Sequence, residues 1–250
     1  MIVELAPTAA GGEIQPMDVY ANAERPLPPR RPYVLSNMIC SADGAISIDG
    51  ASEGLGGPMD FEVFMALRSI SDVIIVGAET VRVERYKPPR PTERVQRLRS
   101  ERGQAPRPTV AVLTASADLD PELPLFTDPD HKPIILCGAA ADPAALARIG
   151  DLASVVQFPT ARVAPEDALV ELRERGFRHA LLEGGPRLNA QFIADDCVDE
   201  WNLTLSPALV AGEASRAAIG PRSVHHPVQL VHVWRSENMI FLQYRRVRQS

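Results

Sequence analysis

The chain has 250 residues, 45% of them hydrophobic and 23% charged, with a formal net charge of −6. That balance fits a globular protein of one large or two small domains and argues against general nucleic-acid binding. No apolar run reaches membrane-spanning length, so no membrane partner is expected, and the start MIVELAPTAAGGEIQP lacks the basic region and apolar stretch of a secretory signal.

Residues 1–30 are rich in proline, alanine and glycine and end in PLPPRR, which predicts an irregular extension ahead of one α/β domain over 31–250. YVLSNMI, from Tyr33, reads as a strand broken by Ala42-Asp43-Gly44, with AISI continuing extended. Pro58 opens a helix, where its missing N–H costs nothing, and Asp60 and Glu62 suit the positive end of its dipole. VIIV (73–76) is a short buried strand ending at Gly77. Residues 84–108 are rich in arginine and proline around a short polar helix, capped by Thr92 and stopped near Gly103. VAVL (110–113), IILC (134–137) and VVQF (155–158) are further strands. PEDALVELRERG is a helix ended by Gly176, FRHALLE the next strand and RLNAQFIADD the next helix. WNLTL alternates like a half-buried strand, and VQLVHVW with IFLQYRRV reads as a C-terminal hairpin.

The three cysteines, Cys40, Cys137 and Cys197, are odd in number and lie in or beside apolar stretches, which predicts reduced, packed thiols in a cytoplasmic protein. No C-x-x-C occurs, nor H-x-E with a following P-C-x-x-C. A zinc deaminase site therefore cannot be built, and no metal is expected.

Four stretches are candidates for chemistry. In HALLEGGPRLNAQFI (179–193) a buried strand runs through Glu183 into Gly184-Gly185, and Pro186 starts a helix. Glycines let a ligand touch the main chain, and a helix start suits an anion such as a pyrophosphate; the alternative is a plain strand–helix turn. Val76-Gly77-Ala78-Glu79-Thr80-Val81 is a second strand that ends at a glycine. Ser41-Ala42-Asp43-Gly44 is first of all a turn signal, and Thr114-Ala115-Ser116 offers hydroxyls either to a phosphate or to its own loop. The G-x-G-x-x-G fingerprint is absent, which weighs against a Rossmann dehydrogenase.

Taken in order, these motifs resemble one family. S-x-D-G follows the first strand, L-R precedes VIIV, and V-G-x-x-T-V follows it. Leu-Leu-Glu-Gly-Gly then precedes a helix, with Val198-Asp199-Glu200 and Leu205-Ser206-Pro207 after it. The pattern is similar to the reductase domain of the bifunctional riboflavin-biosynthesis deaminase/reductase, from about Pro32 to the C-terminus, and looks like a stand-alone reductase.

The resemblance implies a dihydrofolate-reductase-like α/β fold: a three-layer arrangement with a twisted, mixed and mostly parallel sheet, helices on both faces, and the C-terminal β-hairpin. It implies NADPH as cofactor, small-molecule substrates and a homodimer. Gly77 and Thr80 would face the nicotinamide and diphosphate side. Gly184, Gly185, Pro186 and Arg187 would take the diphosphate. Thr114 and Ser116, with Arg68, would take the adenosine 2′-phosphate. Asp43 and Glu84 are the carboxylates expected to manage a proton, and Ser52, Glu183, Lys87 and Arg90 the residues expected at the substrate.

The implied reaction is reduction of the ribosyl group of 5-amino-6-(5-phosphoribosylamino)uracil by hydride transfer to its C1, with the protein positioning the reactants. The chain departs from the family pattern on the substrate side. Glu84 stands at a position usually held by aspartate, Asp43-Gly44-Ala45 lacks the usual lysine, and Gly54-Leu55-Gly56 replaces the usual tryptophan and threonine. Lys87 and Arg90, with Arg94, are the candidates to replace the substrate-phosphate contacts. These departures keep two alternatives open: reduction of a pterin such as dihydrofolate, and a non-enzymatic NADPH-binding protein.

Overall fold

A computed structural model describes residues 2–6 and 12–248. In chain order the elements are β1 (Ile2–Ala6), β2 (Glu13–Ile14), α1 (Pro16–Asn22), β3 (Tyr33–Ser41), a 3-10 turn (Glu53–Leu55), α2 (Pro58–Ile70), β4 (Val73–Gly77), α3 (Ala78–Val83), α4 (Glu93–Glu101) and β5 (Thr109–Thr114). There follow β6 (Ile134–Cys137), α5 (Pro143–Ile149), β7 (Ser154–Gln157), α6 (Pro165–Glu174), β8 (His179–Gly184), α7 (Pro186–Ala194), β9 (Glu200–Ser206), β10 (Val228–Ser236) and β11 (Met239–Arg246). No helix among the described residues is long and apolar enough to cross a membrane.

The chain divides into two compact units. The first takes the N-terminal segment up to Pro26, then Tyr33–Ile70, then everything from Leu182 onward. Its strand order is β2-β1-β10-β11-β9-β3. The pairs are antiparallel except β3 with β9, which is parallel. The expected C-terminal hairpin is β10–β11, and β1 adds itself to its outer side.

The N-terminal segment is therefore not the irregular extension its composition predicts: it carries two strands and a helix. Its anchor is polar. Arg25 forks onto Glu200 (3.1 and 3.3 Å) and donates to the Tyr20 carbonyl (2.8 Å), while the Tyr20 hydroxyl donates to Asn202 (2.9 Å). Glu200 also accepts from Gln243 (2.6 Å) and Asn202 (3.3 Å).

The expected alternation in β9 is present, but the buried side is the polar one. Glu200, Asn202, Thr204 and Ser206 are buried, while Trp201, Leu203 and Leu205 are half-buried. Hydrogen-bond partners on β3, β11 and the N-terminal segment satisfy the buried Glu200 carboxylate and Asn202 amide.

The second unit contains Leu27–Pro32 and Ser71–Leu181. Its strands β4, β5, β6 and β7 pair in that order, all parallel. VIIV, VAVL and IILC are buried on both faces, as continuous apolar runs in a parallel sheet require. Thr92 caps α4 by accepting from the Val95 N–H (3.5 Å), and Asp142 caps α5 by accepting from Ala144 (3.0 Å). Gly176 takes φ +91° after α6, the left-handed conformation that favours glycine.

The helix over 93–101 is not wholly solvated: Arg99 is buried and donates to the carbonyls of Ser71 (2.7 Å) and Ala105 (2.8 Å). Burial lowers its pKa to about 10, which leaves it charged at neutral pH. At Gly138 a Cβ would sit 2.3 Å from the Ala161 carbonyl oxygen, so the loop after β7 closes on β6 only because that position has no side chain. AISI forms no strand: its one pairing is an isolated bridge between Ile48 and Ala51.

Candidate functional site

In the second unit, Gly77 ends β4 and is the N-cap residue of α3, with no side-chain capping bond. Thr80 lies in that helix, half-buried, and Glu84 is its exposed C-cap residue. The stretch after it turns through Arg85 at φ +45° and is pinned by buried Tyr86, Pro88 and Pro89. Lys87 and Arg90 face outward, and Arg90 lies 3.6 Å from Asp128.

Thr114 ends β5, and its hydroxyl accepts from the Ala117 N–H (3.0 Å); the Ser116 hydroxyl accepts from Asp118 (3.3 Å). Both hydroxyls thus shape their own turn. Two arginines absent from the sequence reading flank it: Arg82 donates to the Asp118 carbonyl (2.9 Å), and Arg148 pairs with the Asp118 carboxylate (3.2 Å).

In the first unit, Gly184 ends β8 at φ +87°. A Cβ there would lie 3.2 Å from Asn189 Nδ2 and 3.5 Å from Met38 Sδ, so both backbone conformation and space call for glycine. Gly185 is the N-cap residue of α7 and has no side chain to cap it, and Pro186 is its first residue. Arg187 follows, exposed. Asn189, fully buried, donates to the Ala217 carbonyl (2.7 Å) and holds the 207–227 segment against α7. Its place in the first turn of the helix is the sequence signal that reasoning passed over. Ser52 is half-buried just before the 3-10 turn.

Arg68 has a different place from the one the resemblance implied. Its Nε and one terminal nitrogen fork onto the two Glu183 oxygens at 2.7 and 2.8 Å. Its guanidinium carbon stacks 4.0 Å from the centre of the Phe64 ring. The expected 2′-phosphate residue instead serves a carboxylate, because opposite charges on β8 and α2 meet with little access to water: Arg68 is 16% and Glu183 7% exposed.

Asp43 also departs from its expected role. The Ser41 hydroxyl donates to it at 2.5 Å, and the Val210 and Ala211 N–H groups donate at 3.1 and 2.8 Å. The Ser41 bond, then those from Ala211 and Val210, lower its pKa to about 2. These donors make Asp43 a clasp between the turn after β3 and the turn after β9.

Its folded-state pKa lies below the ordinary carboxylate value. Its stabilising effect is therefore present above about pH 4 and lost as pH falls through about 2. The melting-temperature gap between wild type and Asp43→Asn is expected to stay constant from neutral pH to about 5 and to shrink below about 4. A gap that stayed unchanged at pH about 2 would contradict the clasp.

Asp60, read as a helix-dipole partner, is half-buried. Burial raises its pKa, and the Thr204 hydroxyl bond only partly offsets this. The three cysteines are free and buried.

Gly77, Thr114 and Gly184 all stand at the carboxyl ends of their strands, where open α/β sheets receive ligands. The fold is that of an α/β protein with ligand-receptive strand ends. A pyrimidine reductase-like protein from Corynebacterium diphtheriae superimposes with a TM-score of 0.84 at 25% identity, covering 94% of this chain and 100% of that one. The RibD of Acinetobacter baumannii shares the fold, with a TM-score of 0.70 at 19% identity over 88% of this chain and 59% of that one.

The model of the RibD C-terminal domain matches residues 32–242, and the chain belongs to that family. The 2,5-diamino-6-ribosylamino-4(3H)-pyrimidinone 5′-phosphate reductase of Methanothermobacter thermautotrophicus is 30% identical over 189 residues, 76% of this chain and 84% of that protein. The reductase of the same name from Aquifex aeolicus is 29% identical over 209 residues, 81% of this chain and 89% of that protein.

Proposed function

We propose that this chain is an NADPH-dependent reductase of a ribosylaminopyrimidine 5′-phosphate in riboflavin biosynthesis, working in a reducing, cytoplasmic compartment. The observation that carries the reading is the β8–α7 junction. Gly185, the N-cap residue of α7, brings no side chain of its own to the positive end of that helix, where an anionic group is favoured. Membership of the family and the names of the relatives support the substrate class.

Gly184, Gly185 and the start of α7 would hold the cofactor diphosphate. Gly77 and Thr80 would hold its nicotinamide side. Thr114 and Ser116, with Arg82 and Arg148 beside them, would read the 2′-phosphate. The bound cofactor supplies a hydride for the ribosyl C1 of the substrate. Glu183 accepts hydrogen bonds from the pyrimidine, Ser52 edges its pocket, and Lys87 and Arg90 meet its phosphate. Glu84, on the exposed end of α3, is the carboxylate that remains for proton handling once Asp43 is committed to its clasp.

The test is nicotinamide oxidation with 2,5-diamino-6-ribosylamino-4(3H)-pyrimidinone 5′-phosphate and with the corresponding uracil, with dihydrofolate as control. Turnover on a ribosylaminopyrimidine is expected, and none on dihydrofolate. No oxidation with either pyrimidine at millimolar concentration would remove the assignment.

The proposal includes a homodimer that uses the surface of the β10–β11 hairpin, where Val228 and Leu230 are exposed. Sedimentation at micromolar concentration should give twice the chain mass, and a monomer there would reject it.

A further inference from the structure

We infer that His131 is an acid-operated latch on the crossover between β5 and β6, and that its protonation releases this crossover while the sheet stays folded. The latch lies wholly in the second unit. Parallel strands are usually joined through a helix. Here residues 115–133, between Thr114 and Ile134, form neither helix nor strand. Irregular connections of that length are uncommon in compact domains and open locally when few side chains hold them.

Leu119, Leu123, Leu125 and Phe126 are buried and pin the earlier part of the crossover. Its last turn is polar. The His131 N–H donates to the Asp128 carbonyl (3.1 Å), and the Asp130 N–H donates to the Asp128 carboxylate (3.1 Å). The same carboxylate pairs with Arg107 (3.0 Å) and Arg90 (3.6 Å).

The His131 ring is buried, 7% exposed, and neither of its nitrogens has a hydrogen-bond partner. Neutral, the ring leaves one donor and one acceptor unpaired; charged, it leaves two donors and a full charge. The charged groups that act on it are Arg107 and Asp128. Asp128 already answers two guanidinium groups and a main-chain N–H, so a third cation adds to an excess of positive charge. Asp130 and Lys132, on either side in the chain, are exposed and screened by water.

Burial first, then Arg107, lower the His131 pKa to about 4, and Asp128 offsets this only in part. The folded-state value lies below the ordinary 6.5, so the open form takes the proton first. The latch holds fully above about pH 6.5, weakens as pH falls, and changes no further below about 4. Within that window each pH unit favours the open form about tenfold.

Hydrogen exchange of the full chain, read by mass spectrometry and corrected for the intrinsic rate, tests the latch. Peptides from 119–133 should open about twentyfold more readily at about pH 5 than at about pH 7, while β4 and β5 keep their protection. In His131→Phe, whose ring takes no proton, the same peptides should change by less than about twofold. Equal loosening of every peptide, no loosening in wild type, or an undiminished effect in His131→Phe overturns the inference. The His131 ring signal in wild type, followed by nuclear magnetic resonance, is a reading that needs no variant. Its midpoint should lie below about 5.5, and a higher one overturns the latch as well.

Discussion

Glu200→Ala is expected to destabilise the protein by about 3–5 kcal/mol, the usual penalty for breaking a buried ion pair from one side. Glu200 is 0% and Arg25 4% exposed at the side chain, so removal of the carboxylate strands a guanidinium with little water to solvate it. Gln243 and Asn202 lose their acceptor at the same time. Urea unfolding should show a lower midpoint with little change in slope. Arg25→Ala should cost a comparable amount, and the double variant clearly less than the sum, since one interaction is lost twice. A loss below about 1 kcal/mol would mean that the pair is solvated in the working protein.

The second large effect is on cofactor binding. Gly185→Val is expected to weaken NADPH at least about 100-fold, or about 2.7 kcal/mol, in a fluorescence titration. Gly185 is the N-cap residue of α7, and a branched side chain there would stand where the proposed diphosphate has to approach the main chain. Far-ultraviolet circular dichroism should keep its native shape, because the residue is at a surface junction rather than in the core. A folded variant with undiminished affinity would move the diphosphate elsewhere.

Much of the architecture is legible in the letters, and the reasons are local. VIIV, VAVL and IILC declare buried parallel strands, Thr92 declares a helix start, and Gly176 declares an end. Gly184 marks a place where a left-handed backbone and close neighbours call for glycine. What escapes is settled by residues far apart in the chain. The N-terminal segment looks irregular because its composition is poor in strand formers, yet β1 pairs with β10 more than two hundred positions away. The alternation of β9 is visible, but which side is buried depends on Tyr20, Arg25 and Gln243.

The candidate site divides along the same line. Gly77, Thr114 and Gly184 end their strands, as the runs of apolar letters before them suggested. The pairing of Arg68 with Glu183 joins residues 115 positions apart, and no nearby letter signals it. Asp43 followed by glycine is correctly legible as a turn; its three donors come partly from Val210 and Ala211, which only the folded chain brings near. Arg99 shows the limit of composition most plainly, since a charged residue in a polar helix reads as solvated until its two carbonyl partners are known.

The first unit's strand order opens on β2, with two residues, and the second unit's closes on β7, with four. Short outermost strands offer an incoming chain few main-chain groups to copy, and Pro159, two residues past β7, has no N–H to extend the pattern. Strand-to-strand growth is thereby discouraged at each of these two edges.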